Sequence, residues 1–507
     1  MGCGHSHHGR ASHDSTAVDT ADEKLEAETV KLQPPSSNNQ TAQAVASSSA
    51  APQWASPRLI LQSRMRLDDV DVVGKRVFLR CDMNVELEDW TKRPGVIQND
   101  TRIRVSLPTI EECLKAGAKS IVLCSHLGRP DGRRVSKFSM RPVAERTAEL
   151  LGRAVTFLDG AVDGEASQTA CRNPPAGSIF MLENTRFHLE EEGKGLGETG
   201  SKATASKEAV GKFCASLALL GDVYVMDAFA TAHRAHSSML GEGFAERCMG
   251  RLVEAELKAF ASLLDEPATP VLGICGGYKL DKIAEIKPLI QNIHSLILCG
   301  GISSTFLKAK CGTEIGGEDY KAERAPIALE ILDEAERSGV DVSMPLDWAV
   351  SSISPSHPSY GQEGTLKMVT REEGVPAEKA MVDLGGDALV ERPWKPFDIG
   401  PATRESFAAT IAKAKTVFWN GPPGMYKFPK AADGSKAMAE AVAAAAERGA
   451  QVVLGGGGTS ALYELYCPSA AEKSHVCSGG GVSLELMAKK SLPALVALSS
   501  KGSSVVC

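Results

Sequence analysis

The sequence predicts an α/β protein built from two doubly wound parallel sheets, and three observations carry that prediction. Short runs rich in Val, Ile, Leu and Phe recur along the chain, such as those in VFLRCDMNV and SIVLCSH. They are too short for helices and lack polar alternation, as strands covered on both faces require. Between them lie stretches with helical spacing, including Ser406 to Lys415 and Lys436 to Glu447, which gives the β-α alternation of a doubly wound sheet. The turns that follow the apolar runs are cationic in the first half and rich in glycine in the second.

Length and charge set the bounds. A chain of 507 residues suits two or three domains at about 100–200 residues each. Its hydrophobic share of 43% is that of a globular protein, sufficient for large cores. The net charge is −7 and no Lys/Arg run tracks a phosphate backbone, which argues against nucleic acid as a partner. The 13 cysteines are scattered, with Cys124, Cys275 and Cys299 inside apolar runs, so they read as reduced, buried thiols of a cytoplasmic protein. No apolar stretch approaches the roughly 18 residues that span a bilayer, and no signal-peptide core is present.

Residues 1–60 read as a separate, disordered tail. From Met1 to about Pro57 the chain is rich in Ser, Ala, Thr, Gln and His with hardly a large apolar residue, so it cannot bury enough surface to offset ordering. Its opening, Met-Gly-Cys-Gly-His-Ser, fits the acceptor pattern for myristoylation at Gly2, with Ser6 in the required place and Cys3 beside it for palmitoylation. Chance also produces such matches. A membrane surface is thereby a candidate partner through acylated Gly2 and Cys3, while His5, His7 and His8 read as a solvated polar tract rather than a metal site.

In open α/β sheets the ligand lies beyond the carboxyl ends of the strands. In the first half the residues there are Arg80 to Asn84, Ser125 to Pro130, Glu183 to Arg186, and Asp227 to Phe229 with Thr231 to His236. Guanidinium forks match carboxylate and phosphate oxygens bidentately. A single arginine in such a turn would be an ordinary surface ion pair, but arginines in four equivalent turns predict a pocket for a small, highly anionic molecule.

The second half places glycines at the same points: Gly276-Gly277-Tyr278-Lys279, Gly300-Gly301, Asn420-Gly421-Pro422-Pro423-Gly424, Gly455 to Thr459, and Gly479 to Gly481. Without Cβ atoms the backbone N–H groups approach phosphate oxygens, and a following helix N-terminus adds favourable partial charge. One glycine pair would serve packing alone. Five at successive strand ends predict a nucleotide.

The runs VFLRCDMNV, SHLGRP, LENTRFHLEEEG, DAFATAHRAHSSM, WNGPPGMYKF and SHVCSGGGVSLEL resemble phosphoglycerate kinases, over about residues 60 to 498. The resemblance implies two Rossmann-like domains, 61–255 for 3-phosphoglycerate and 256–490 for the nucleotide, joined by a hinge helix near Arg251 to Leu264. Residues 491–507 should return to the first domain, with Leu492 to Ser500 packing back on it. It further implies a monomer that transfers a phosphoryl group reversibly between 1,3-bisphosphoglycerate and ADP, with Mg²⁺ accompanying ADP and ATP. By motif match, Asp82, Asn84, Arg102, His126, Arg129, Arg186 and Arg234 would hold the acid. Gly277, Lys279, Lys282, Gly301, Asn420, Pro422, Gly424, Gly456, Gly457, Gly458 and Thr459 would hold the nucleotide. Arg102, Lys279, Gly457 and Gly480 would act on the transferring group.

Departures from the family pattern cluster in the nucleotide half. Gly458 stands where the family has the Asp associated with Mg²⁺, and no metal ligand is predicted in its place unless Asp281 substitutes. Lys279 and Lys282 are one residue closer than usual, Tyr278 replaces Ala, Lys427 replaces Glu, and AMVDLGGDALVERPWKP is an insertion before Asp398. The acid half departs only at details such as Glu86, Met226 and Ala230. Two readings follow, an active kinase and a catalytically weak relative that serves as a tethered binding or scaffold protein. An unrelated two-domain nucleotide binder is the third.

Overall fold

The computed structural model describes residues 54–197, 200–362, 365–382 and 389–502. Gly2, Cys3, Ser6 and the histidines at 5, 7 and 8 lie outside the described residues. The expected tail boundary at residue 60 falls inside a helix, Pro57–Ser63, whose start is fixed by the Ser56 hydroxyl accepting from the Leu59 N–H and by Pro57 at the first helical position. Ile60 anchors it in the core.

Two six-stranded parallel sheets form the frame. In the first, the spatial order is Glu246–Met249, Val223–Asp227, Arg76–Cys81, Ser120–Cys124, Ser178–Leu182 and Thr156–Leu158. In the second it is Asp341–Ser343, Ser295–Leu298, Val271–Cys275, Thr416–Asn420, Gln451–Gly455 and His475–Cys477. Both sheets start in the middle and wind outward to each side, so each has a topological switch point beside its first strand, where α/β sheets bind ligands. In the second sheet that point lies between Val271–Cys275 and Thr416–Asn420, whose register pairs Cys275 with Asn420. The central strands are buried along their length, as their uninterrupted apolar sequence requires.

Helix Arg251–Leu264 runs between the sheets. Val253, Leu257, Phe260 and Leu263 are buried on it, a spacing of three and four residues that puts them on one stripe. Phe260 stands 5.9 Å from Phe229 and 6.5 Å from Phe418, which ties the loop beyond one sheet to a strand of the other. The C-terminal segment crosses back to the first sheet: Met65 N–H donates to the Ser499 carbonyl at 2.9 Å and Ala494 N–H to the Ala232 carbonyl at 3.2 Å. Helices appear at Pro401–Lys413 and Asp433–Glu447, each starting a few residues before the stretch read from spacing because Pro401 and Asp433 suit a first turn. Part of the inserted segment folds as an antiparallel pair, Lys379–Val382 with Val390–Pro393.

Candidate active site

The cationic turns of the first half converge at the carboxyl edge of their sheet. Asp82 follows strand Arg76–Cys81 and its carboxylate lies 2.7 Å from Arg102. Burial opposes its charge, but Arg102, His126 and Arg80 outweigh that cost and hold the carboxyl well below the usual range. Arg80 is fully buried; it donates to the Ser238 hydroxyl at 2.8 Å and to the Cys81 carbonyl, and its remaining nitrogen is 3.3 Å from His126 Nδ1. Ser238 in turn donates to Glu191 at 2.6 Å, so the buried guanidinium sits in a satisfied network.

The loops are fixed to one another by amide side chains. Asn84 Oδ1 accepts from the Gly128 N–H at 2.8 Å, and Asn184 Nδ2 donates to the carbonyls of Leu127 and Phe138 at 2.7 and 2.9 Å. Arg186 donates to the Gly128 carbonyl at 3.0 Å, and its Nε is 3.2 Å from Glu192, without hydrogen-bond alignment. Burial and then Arg234 push His233 down to about 4, and burial and then Arg186 push His236 down to about 3. These two rings are neutral at physiological pH, and the Nδ1 atom of each is buried without a hydrogen-bond partner in the protein. Arg129 and Arg234 are exposed and, among the described residues, neither side chain has a partner. A buried anion site flanked by unpartnered guanidinium groups and neutral imidazoles is built to receive negative charge from outside.

Arg80, His233, His236 and Thr231 lie in the turns expected to form the anion pocket but are absent from the residues assigned by motif match; the Thr231 hydroxyl is 3.4 Å from Asp82. Arg80 carried a usable signal, because an arginine within a buried apolar run must be paired.

In the second half, the glycine turns divide into two kinds. Some exist for close loop packing. Gly421 has φ +104° and a Cβ there would collide with the Gly276 carbonyl, while Gly424 lies against Asp398 and Phe397. Gly277 N–H donates to the Pro422 carbonyl at 2.8 Å and its own carbonyl accepts from Ile302 at 3.0 Å, so these loops form one laced edge. Other glycines face open space. A Cβ on Gly457 or Gly481 would meet nothing within 4 Å; Gly457 opens helix Gly457–Tyr466 and Gly481 is the second residue of Gly480–Met487, whose first residue packs against Gly456. The first N–H groups of these helices are unpaired within the helix and point outward, the arrangement that binds phosphate.

Side chains join the two kinds. Asn420 donates to the Gly480 carbonyl at 2.9 Å and accepts from Lys282 at 3.2 Å, and Thr459 accepts from the Gly421 N–H at 2.7 Å. Burial lowers the affinity of Lys282 for its proton. Lys279 is exposed with no side-chain partner among the described residues, and Gly301 is covered by the ring of Tyr278.

The two halves meet through Arg102. Its second terminal nitrogen lies 3.3 Å from the carbonyl of Ser478, just before Gly479 to Gly481. The Ser478 N–H donates at 2.7 Å to Glu256, which is fully buried on the connecting helix, and the other oxygen of Glu256 is 2.7 Å from His475.

On the protein side the residues present do not fit a carboxylate-held metal. Among the described residues no group of three His, Cys, Asp or Glu side chains could hold an ion. Asp281 is engaged by Lys321 at 3.1 Å and Arg324 at 3.0 Å on the surface, and Asp398 accepts from Ser435 and Ile399 and is pushed by burial up to about 7. Nor does any helix among the described residues have the length and apolarity to cross a membrane.

The phosphoglycerate kinase family model matches residues 67–490. The chain is 44% identical over 438 residues to a probable phosphoglycerate kinase of Caenorhabditis elegans, covering 86% of this chain and 98% of the relative. It is 41% identical over 439 residues to the phosphoglycerate kinase of Drosophila melanogaster, covering 86% and 99%. The solved phosphoglycerate kinase from Coxiella burnetii superposes with a TM-score of 0.65 at 29% identity, covering 86% of this chain and 98% of that one. With these matches across nearly all of the described fold, the chain belongs to the phosphoglycerate kinase family.

Proposed function

We propose that the protein is a working phosphoglycerate kinase, binding 1,3-bisphosphoglycerate or 3-phosphoglycerate at the arginine edge and ADP or ATP at the glycine edge. The observation that carries this reading is the position of Arg102, which touches Asp82 in the acid pocket and Ser478 beside the opposing glycine turn. In the reaction an oxygen of the ADP β-phosphate bonds to the phosphorus of the acyl phosphate. The bond from that phosphorus to the C1 carboxyl oxygen breaks, leaving the carboxylate of 3-phosphoglycerate. Such a transfer needs positioning and neutralisation of charge rather than covalent help.

Arg186, Arg129, Arg234 and His126 would hold the acid and its 3-phosphate, with Asp82 and Asn84 fixing the loops. Arg102, Lys279 and the N–H groups of Gly457 and Gly480 would receive the charge that spreads over the moving group. Gly277, Gly301, Asn420, Pro422, Gly424, Gly456, Gly458, Thr459 and Lys282 form the surrounding nucleotide edge. Mg²⁺ would enter as part of the nucleotide substrate and neutralise its phosphate charge, with no carboxylate offered by Gly458.

Calorimetry on the full chain tests the assignment. 3-Phosphoglycerate and MgADP should each bind alone, and Arg234→Ala should weaken only the first. Equal loss of both would overturn the division of labour.

The N-terminal Met-Gly-Cys opening supports acylation at Gly2 and Cys3, which would hold this cytoplasmic enzyme at a membrane surface, since one myristoyl chain alone binds marginally. Fractionation should then find Gly2→Ala wholly soluble. A wild-type chain that is equally soluble refutes the anchor.

A further inference from the structure

At the switch point of the second sheet, the carboxyl ends of three adjacent strands surround a narrow slot. Its floor is Gly300 and Gly301, which open the helix after strand Ser295–Leu298, and its walls are Trp348, Pro396, Phe397 and Pro423, with the carboxylates of Asp398 and Glu318 at its edge. Trp348 and Phe397 are buried. A glycine floor with mostly apolar walls and one or two polar groups at the edge is suited to a flat aromatic group lying face down. The ring of Tyr278 lies over that floor and closes the slot: a Cβ built on Gly301 would stand 2.7 Å from Tyr278 Cδ1. Only about 10 Å³ of the slot is left open, room for no more than one water.

Tyr278 also lines an open basin of about 520 Å³, together with Lys279, Lys282, Lys321, Asp281, Glu285 and Asp319. Tyr278 therefore borders both a closed, mostly apolar slot and an open charged basin. Its backbone is held firmly, because Gly277 is bonded through both N–H and carbonyl. The side chain is not: 38% of the residue is exposed and, among the described residues, the hydroxyl has no hydrogen-bond partner. The loop after it is pinned by Leu280, which is buried, and by Lys282 on Asn420.

We infer that Tyr278 is a plug for the base of the nucleotide. Its phenol ring takes the place of the heterocycle of a nucleoside di- or triphosphate, and the base enters only when the ring swings out toward the basin. The inference rests on the nucleotide reading proposed above and adds a gate to it. A state that must open before binding lowers apparent affinity by the fraction of molecules that are open, so the plug weakens nucleotide binding without touching the phosphate-facing helix ends.

The test compares two probes on the full chain, wild type and Tyr278→Ala, by calorimetry: MgADP, which has a base, and inorganic tripolyphosphate, which has none. Unchanged affinity of Tyr278→Ala for 3-phosphoglycerate establishes that the variant is folded. With a plug open in about a tenth of the molecules, Tyr278→Ala binds MgADP about tenfold more tightly, tripolyphosphate binds both proteins alike, and Tyr278→Phe behaves as wild type. Equal or weaker MgADP binding by Tyr278→Ala, with wild type still binding MgADP, overturns the plug and makes the ring a bystander or a stacking platform. Failure of both proteins to bind either probe overturns the nucleotide site itself, and the plug with it.

Discussion

The Arg102 guanidinium lies 2.7 Å from the carboxylate of Asp82, and the pair is lopsided, with the Asp82 side chain 4% exposed and that of Arg102 35%. Asp82 thus acts as a fixed anchor from which the guanidinium reaches across to Ser478. A lysine keeps the charge but offers no planar fork able to serve two partners at once. Arg102→Lys should therefore lower kcat about a hundredfold, the scale for losing one oriented charge-stabilising group, with little change in KM for 3-phosphoglycerate. Steady-state kinetics in both substrates reads this directly, and an unchanged kcat would remove Arg102 from the transfer step.

Arg186 is buried and already holds the Gly128 loop. Its truncation should weaken 3-phosphoglycerate binding by about 1.5–3 kcal/mol, the range for hydrogen bonds to charged groups. Titration calorimetry on Arg186→Ala is the check, and unaltered affinity would dissolve the pocket assignment.

The lowered values of His233 and His236 carry a sign. An unfolded histidine takes up its proton near 6.5, whereas in the folded protein burial and the neighbouring arginines delay this to about 4 and about 3. The stability they confer is complete above about 6.5 and is lost as pH falls through that window, because the unfolded chain then binds more protons. Urea unfolding of His236→Gln should show a shallower loss of stability between pH 6.5 and 4.5 than wild type. A slope identical to wild type would mean that the ring is not held neutral.

At Gly458 a side chain has room. A Cβ there would stand 3.5 Å from Pro422 Cδ, an ordinary contact, at the second position of helix Gly457–Tyr466. Gly458→Asp should fold normally, lower the Mg²⁺ concentration needed for half-maximal activity and raise kcat/KM for the nucleotide. Should the Mg²⁺ dependence stay put, the shortened Lys279 to Lys282 turn, rather than the missing carboxylate, governs how metal-nucleotide binds.

The sheets were legible because parallel strands buried on both faces leave unbroken apolar runs, whereas Arg251 to Leu264 was expected as a connecting helix only through the family resemblance. Helix starts were less so, since Pro401 and Asp433 belong to the first turn although their side chains do not repeat with the buried stripe. The arginine turns spoke plainly, for side-chain chemistry is written in the sequence. Glycine was ambiguous: the collision awaiting a Cβ at Gly421 and the open space at Gly457 depend on neighbours far along the chain. Nothing local could reveal that Tyr278 closes the slot over Gly301 or that Asp281 faces Lys321 and Arg324.

The most direct measurement of the central claim is turnover by the purified full chain with 3-phosphoglycerate and MgATP, following ADP release through a coupled assay. The proposed function predicts sustained turnover that saturates in both substrates, at a Mg²⁺ concentration above that of the nucleotide. A folded chain that binds both substrates and transfers no phosphoryl group, with Gly458→Asp equally silent, would contradict it.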